Sequence, residues 1–235
     1  MCVNYTPATR KHLVDVFNAP APETADWPGE TYQDYRAPII RLDGDGTREI
    51  LVANFGMIPK SHLPETAKHF STMNARSETV GQLRSYASAW KSGQLALIPC
   101  EDFFEPNWET GKHVRWRIGM ADRMPFAIAG LWREWKEEGG AISHSFTQLT
   151  VNADDHALMS HFHRPGSEKR SLVIVPQEEY DAWLGCRDPE VARSFLRQYP
   201  AELMGAEPAP KPAKPKKAAG ASDPKPGHPN TGLFD

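Results

Sequence analysis

Three cysteines are too few and too scattered for a disulfide scaffold or a cysteine-rich zinc site, because Cys2, Cys100 and Cys186 form no C-x-x-C pair. Their sparseness fits a reducing cytosol. Long apolar runs are missing too. The longest, such as 126–132, fall far short of the ~20 residues that a membrane-crossing helix needs. The opening residues, MCVNYTPATR, hold no apolar stretch of the kind a secretory signal requires, so a cytoplasmic location is expected. Neither sign of charge is in large excess. At a formal net charge of −3 the whole chain carries no nucleic-acid footprint, and any such site must be a local basic patch. There is no internal repeat and no H-E-x-x-H, which removes repeat architectures and the common zinc-hydrolase signature.

What the sequence does contain is bulk for a core. With 235 residues, seven Trp and ten Phe, the chain can bury one core, or at most two. From Ala206 it reads AEPAPKPAKPKKAAGASDPKPGHPN, a segment with almost no apolar surface to bury. Residues 1–205 are therefore expected to be the folded domain, and 206–235 a flexible Pro/Ala/Lys-rich tail. Runs at 36–42, 49–55, 95–104, 114–121, 126–132, 145–151 and 171–175 are rich in β-branched and aromatic residues and bounded by Gly, Pro or Asp. One helix is expected over 78–91, where Leu83, Tyr86, Ala87 and Trp90 recur at helical spacing ahead of Gly93. Two more are expected at 176–184 and 188–198. Strands without strict βαβ alternation predict an α+β fold, mainly antiparallel and barrel-like, with flanking helices.

Cys2 directly follows the initiator Met1. Methionine aminopeptidases remove Met1 ahead of a small side chain, and cysteine is small enough. The mature chain would then begin with a free α-amine and a free thiol on one residue. Unperturbed, these titrate near ~8 and ~8.5, so a small push makes both nucleophilic at neutral pH. An aldehyde meeting such a 1,2-aminothiol forms a Schiff base, and the thiol can close a five-membered thiazolidine. By position alone, Cys2 could equally be a small buried hydrophobe, as most cysteines are.

Other chemistry-bearing groups lie farther along. In NARSET (74–79), Asn74 and Arg76 stand at the expected helix entrance, where an amide and a guanidinium can meet an anion or carbonyl, while Ser77 and Glu78 suit an N-cap and a first turn. Glu105 ends an aromatic run beside Phe103 and Phe104, and such packing can raise a carboxyl pKa into the range useful for general acid–base work. His161 and His163 stand at i and i+2, which on a strand would share one face and could ligate a metal. With no supporting cysteine or histidine cluster, no metal and no cofactor are expected. Cys100 and Cys186 read as structural.

Taken together, these segments resemble the SOS response-associated peptidase family. The cues are Met1-Cys2, NFGMIP at 54–59, NARSET at 74–79, ALIPCEDFFEPNW at 96–108, PFAIAGLWREW at 125–135, SFTQLTVNAD at 145–154 and FHRP at 162–165. The resemblance implies covalent capture of abasic sites in single-stranded DNA as part of the DNA damage response, with Cys2 forming a thiazolidine with the ring-opened sugar. It implies that Asn74 orients the N-terminal residue or a substrate oxygen, that Glu105 shuttles protons, and that His163 protonates the sugar ring oxygen, with His161 as the competing histidine. Arg76 would contact phosphate; Asn4, Phe55 and Arg164 would complete the DNA surface. Family members often carry Gly-Arg where this chain has Val3-Asn4, and Trp where it has Phe55.

Two other functions fit the same residues. One is a thiol autopeptidase limited to self-removal of Met1, with the amine, Glu105 or His163 as base. The other is a non-covalent single-stranded DNA-binding module. The C-terminal Leu233-Phe234 resembles the end of bacterial sliding-clamp ligands, so a clamp is a candidate partner at the bacterial nucleoid. Lys211, Lys214, Lys216, Lys217 and Lys225 could alternatively hold DNA weakly. No membrane partner is expected, and a monomer is.

Overall fold

The computed structural model describes residues 2–67 and 70–211. In chain order the elements are β1 (Tyr5–Pro7), α1 (Arg10–Asp15), β2 (Arg36–Leu42), β3 (Arg48–Phe55), β4 (Asn74–Arg76), α2 (Ala87–Lys91), β5 (Leu95–Asn107), β6 (Val114–Met120), β7 (Phe126–Lys136), β8 (Ile142–Asn152), β9 (Arg170–Leu172), β10 (Ile174–Val175), α3 (Tyr180–Gly185), α4 (Pro189–Arg193) and β11 (Met204–Pro208). The fold is α+β, as expected. Five strands close a barrel in the order β7–β8–β3–β2–β5 and back to β7. Closure depends on the length of β5. Its first half, Leu95 to Cys100, pairs with β7, and its second half, Phe103 to Asn107, turns away to pair with β6. Pairing is antiparallel except where β3 and β4 each run parallel to β8.

Period-two alternation sorts the apolar residues into two cores, one on each face of the sheet. Ala96, Ile98 and Cys100 of β5 face the barrel interior with Cys2, Tyr5, Ala53, Phe55, Ile128 and Phe146. Leu95 and Leu97 face outward, under the helices, with Trp90, Ala129, Leu149 and Trp183. Inside, Phe55 stacks on Phe146 at 5.2 Å between centroids and meets Tyr5 edge-on at 5.4 Å. Gly130 is needed for closure. A Cβ there would stand 2.6 Å from Ile98 Cδ1 and 2.8 Å from the Thr147 carbonyl.

Several expectations change. The helix expected at 78–91 is only Ala87–Lys91, preceded by turns. Its first apolar position, Leu83, is 48% exposed, so the apparent stripe does not begin there. Residues 74–76, expected as a loop, form β4, and Ser77 N continues the pairing by donating to the Thr150 carbonyl. Glu78 does not serve a helix terminus; its carboxylate pairs with the buried Arg170 guanidinium. The run at 171–175 splits at Val173, with β9 on β8 and β10 on β7. The expected boundary at 205 falls inside β11. Met204 to Pro208 pair with β6, and Ala209 N donates to the Arg115 carbonyl. Backbone pairing needs no apolar side chains, which is why composition did not mark this strand. Residues 212–235, including Leu233, Phe234 and four of the five tail lysines, lie outside the described residues.

Gly130→Ala should lower stability by about 1–3 kcal/mol, because Ile98 and the β8 backbone must both give way. A denaturant titration checks this; a midpoint equal to that of the wild type would show that the barrel is not tightly closed at this point.

Candidate functional site

The N-terminal segment is held against the middle of the chain. In the β1–β5 ladder Tyr5 stands opposite Phe103, and Phe104 N donates to the Asn4 carbonyl at 3.0 Å. Cys2 is thereby drawn into the end of the barrel, where it is 1% exposed. Asn74 Nδ2, at the start of β4, donates to the Cys2 carbonyl at 2.7 Å. The Tyr86 hydroxyl donates to the Asn74 carbonyl at 3.2 Å. Cys2 Sγ donates to the Asn4 carbonyl at 3.3 Å. Burial, and secondarily the negative charge of Glu105, push the Cys2 thiol up to about 12. The thiol is therefore protonated at neutral pH and needs a neighbouring base before it can act as a nucleophile.

Glu105 on β5 is 4% exposed and His163 is 8% exposed. Glu105 Oε2 lies 3.1 Å from His163 Nε2. The ring N–H is not aimed along that line, however, and neither ring nitrogen makes a well-aligned hydrogen bond. The contact is one of proximity alone, and both buried imidazole nitrogens lack a hydrogen-bond partner. His163 has φ 65°, the left-handed region that non-glycine residues seldom occupy. The turn is held open by specific donors. His163 N donates to the Pro106 carbonyl at 2.9 Å. Lys169 Nζ donates to the carbonyls of Phe162, His163 and Arg164 at 2.7, 3.1 and 3.3 Å.

That turn sends the two histidines to different surroundings. Residues Met159–His161 form a 3-10 turn rather than a strand, so positions 161 and 163 do not share a face. His161 lies on the surface with Nδ1 2.6 Å from Glu109 Oε1, while His163 faces Glu105. The H-x-H pair thus cannot act as a two-toothed metal ligand. Among the described residues no three His, Cys, Asp or Glu side chains gather into a metal-binding group.

A cavity of about 650 Å³ opens over these residues, lined by Val3, Asn4, Phe104, Glu105, Arg115 and His163 among others. A second, of about 360 Å³, shares Pro106 and His163 with it and is walled by Arg76, Trp108, Arg164 and Arg170. Together they make a groove that passes over His163 with cations on both sides. Arg164 lies over the Trp108 ring at 5.2 Å, and Arg76 is exposed but ion-paired with Glu168 at 2.8 Å.

Two expected DNA contacts are corrected. Phe55 is wholly buried between Phe146 and Tyr5, so it offers no face to a base. Trp108 is an aromatic residue that does border the groove. Asn4 is buried as well. Its Nδ2 donates to the Thr31 carbonyl, and its Oδ1 accepts from Arg115 Nη2 at 2.7 Å. Asn4 therefore holds a cation instead of meeting DNA itself. Arg115, also bound to Glu30 at 2.9 Å and lying 3.4 Å above the Phe104 ring, was not marked by sequence. Its only trace is a place in the alternating V-R-W-R of β6, which does not say which arginine faces the site.

Residues 1–212 match the family model described as SOS response associated peptidase (SRAP). The chain belongs to this family. The family is associated with DNA damage and abasic sites. No curated protein is found to match the chain. Among solved structures it is similar to a protein from Bordetella bronchiseptica, with 35% identity over 88% of this chain and 99% of that one, at a TM-score of 0.81. It is also similar to a protein from Bacteroides thetaiotaomicron, with 20% identity over 88% and 91% of the two chains and a TM-score of 0.72. A third, a phage-related protein from Bordetella bronchiseptica, has 18% identity over 88% and 93% and a TM-score of 0.61. The last two show the fold alone.

The burial of Cys2 gives this SRAP chain a pH signature. Well below pH 9.0 folded and unfolded chains both hold the thiol proton. Between 9.0 and about 12 only the folded chain does, so stability falls as pH rises through that window. Cys100, also raised by burial, adds to the slope. Cys2→Ala should flatten part of the decline in melting temperature above pH 9.0; an unchanged slope would mean that the thiol is solvated in the folded chain.

Proposed function

We propose that the protein captures abasic sites in single-stranded DNA covalently through Cys2, once Met1 has been removed. The observation that carries this reading is the Asn74–Cys2 hydrogen bond, which fixes Cys2 directly before Val3 and Asn4, two residues that line the same cavity as Glu105 and His163. An abasic sugar exists mostly as a closed hemiacetal. His163, with both ring nitrogens uncommitted, is suited to protonate the ring oxygen and release the open aldehyde. The Cys2 amine then attacks the aldehyde carbon. The carbonyl oxygen takes up a proton and leaves as water, giving a Schiff base. Glu105 is suited to accept the thiol proton as sulfur adds to the imine carbon, and the ring nitrogen is protonated. The balance is aldehyde plus aminothiol to thiazolidine plus water.

The electrostatics suit this order of events. A thiol held protonated by burial does not compete with the amine for the aldehyde, and it becomes nucleophilic only beside a carboxylate placed to take its proton. Arg115 and Arg164 would meet backbone phosphates on the two sides of His163, and Trp108 offers a stacking surface. None of these contacts reads sequence, as suits a lesion that has no base.

A second reading uses the same thiol as an autopeptidase. With Glu105 taking the thiol proton, sulfur would attack the Met1 carbonyl; the Met1–Cys2 amide bond breaks, the Cys2 nitrogen leaves as a protonated amine, and water hydrolyses the thioester to free methionine and the Cys2 thiol. The buried Cys2–Glu105 proximity favours it. Intact mass of a Glu105→Gln protein made in cells lacking methionine aminopeptidase activity would separate the two routes to the mature terminus.

Mixed with a single-stranded oligonucleotide containing an abasic site, the mature protein should give a band that survives denaturation. Cys2→Ala should abolish it. Glu105→Gln and His163→Ala should slow its formation by about 10²–10⁴-fold. No band with the wild type, or a band that persists in Cys2→Ala, would overturn the proposal.

A further inference from the structure

Gln148 on β8 is fully buried, yet neither its Oε1 nor its Nε2 has a hydrogen-bond partner. A buried amide unmet at both ends is costly, and a leucine or isoleucine would fill the same space without that cost. Its position says what the amide could meet. In the parallel β4–β8 ladder Gln148 stands directly opposite Asn74. By strand alternation it points to the same side as Phe146, into the barrel interior that holds Cys2. Asn74 spends its Nδ2 on the Cys2 carbonyl, and its Oδ1 is likewise buried and unpartnered. Two amide side chains with unmet oxygens thus lie side by side on the face of the sheet that packs Cys2, and one of them already holds the Cys2 carbonyl.

We propose that Gln148 is a positioning residue for the α-amine of mature Cys2. This rests on the reading that Cys2 becomes the terminus and attacks an aldehyde. A neutral primary amine has two N–H groups and one lone pair. If Asn74 Oδ1 and Gln148 Oε1 accept the two N–H groups, the lone pair is the only direction left for the aldehyde carbon. Both acceptors are neutral, so they orient the amine without holding it as the unreactive ammonium in the way a carboxylate would. The reaction itself is unchanged: nitrogen bonds to the aldehyde carbon, the oxygen departs as water, and sulfur adds to the imine. Gln148 touches the nucleophile and not the sugar.

The test uses mature protein labelled with ¹⁵N-cysteine, in which Cys2 alone carries an amine rather than an amide nitrogen. That amine is titrated by NMR, and single-turnover capture of an abasic oligonucleotide is followed across pH. Gln148→Leu should retain the wild-type melting temperature, lower the pKa of the amine, and slow capture by about 10²-fold through lost orientation. Gln148→Glu should raise the amine pKa and move the alkaline rise of the rate profile to higher pH by the same interval. A leucine variant with wild-type titration and wild-type rate would reduce Gln148 to a water-satisfied core amide and overturn the proposal. If the leucine variant does not fold, an unchanged amine titration in the glutamate variant overturns it equally. A wild type that fails to capture DNA, while its amine titration still responds at position 148, would reject the proposed function and leave the positioning role standing. Capture by the wild type, with both variants indifferent, would do the reverse.

Discussion

The hydrogen bond from Asn74 Nδ2 to the Cys2 carbonyl ties a chain terminus to a strand 72 residues away, and the site depends on it. Terminal residues ordinarily fray because little opposes their conformational entropy. Here three constraints act together. β1 pairs with β5, the Cys2 side chain is packed into the barrel interior, and the Asn74 amide engages the carbonyl. Asn74 can do this only because β4 is a strand, held parallel to β8 and braced by the Tyr86 hydroxyl. The short turns before α2 exist to bring Tyr86 back to that strand.

The barrel then does two jobs with one sheet. Its outer face is an ordinary apolar seat for the helices. Its inner face mixes aromatic packing with less apolar groups: the Cys2 thiol, the Gln148 amide and, at the mouth, the Glu105–His163 pair. The same burial that makes these groups costly also gives them chemical leverage. Removed from water, a carboxylate and an imidazole act on each other and on a thiol far more strongly than they would at the surface. The left-handed turn at His163, clamped by Lys169, is a local strain that leaves the imidazole beside Glu105.

Much of the framework was legible along the chain. The strand at 36–42 is β2 residue for residue, and those at 49–55, 114–121 and 126–132 are off only at their ends, because alternation and turn residues report local geometry directly. Cys2, Glu105 and His163 were marked as candidates from residue chemistry and from family resemblance, and the fold sets Glu105 beside His163. The failures share one cause. Leu83 completed a helical pattern by spacing but is solvent-exposed, and β4 and β11 hold by backbone pairing with distant strands, which leaves no local mark. Phe55 read as a stacking surface because an aromatic side chain looks the same in sequence whether it faces a base or Phe146.

By itself the sequence determined which reactive groups exist: an aminothiol in prospect at Cys2, a carboxylate among phenylalanines, two histidines two residues apart, and strands of the right length and period for a barrel. These are properties of residues and their near neighbours. Only the tertiary structure decided which histidine turns inward, that Asn4 serves Arg115, that Trp108 and not Phe55 borders the groove, and that Gln148 lies beside Asn74. Each of these is a matter of direction and proximity between segments far apart in the chain. Directions are set when β5 changes partners and the barrel closes, and no local pattern encodes that event.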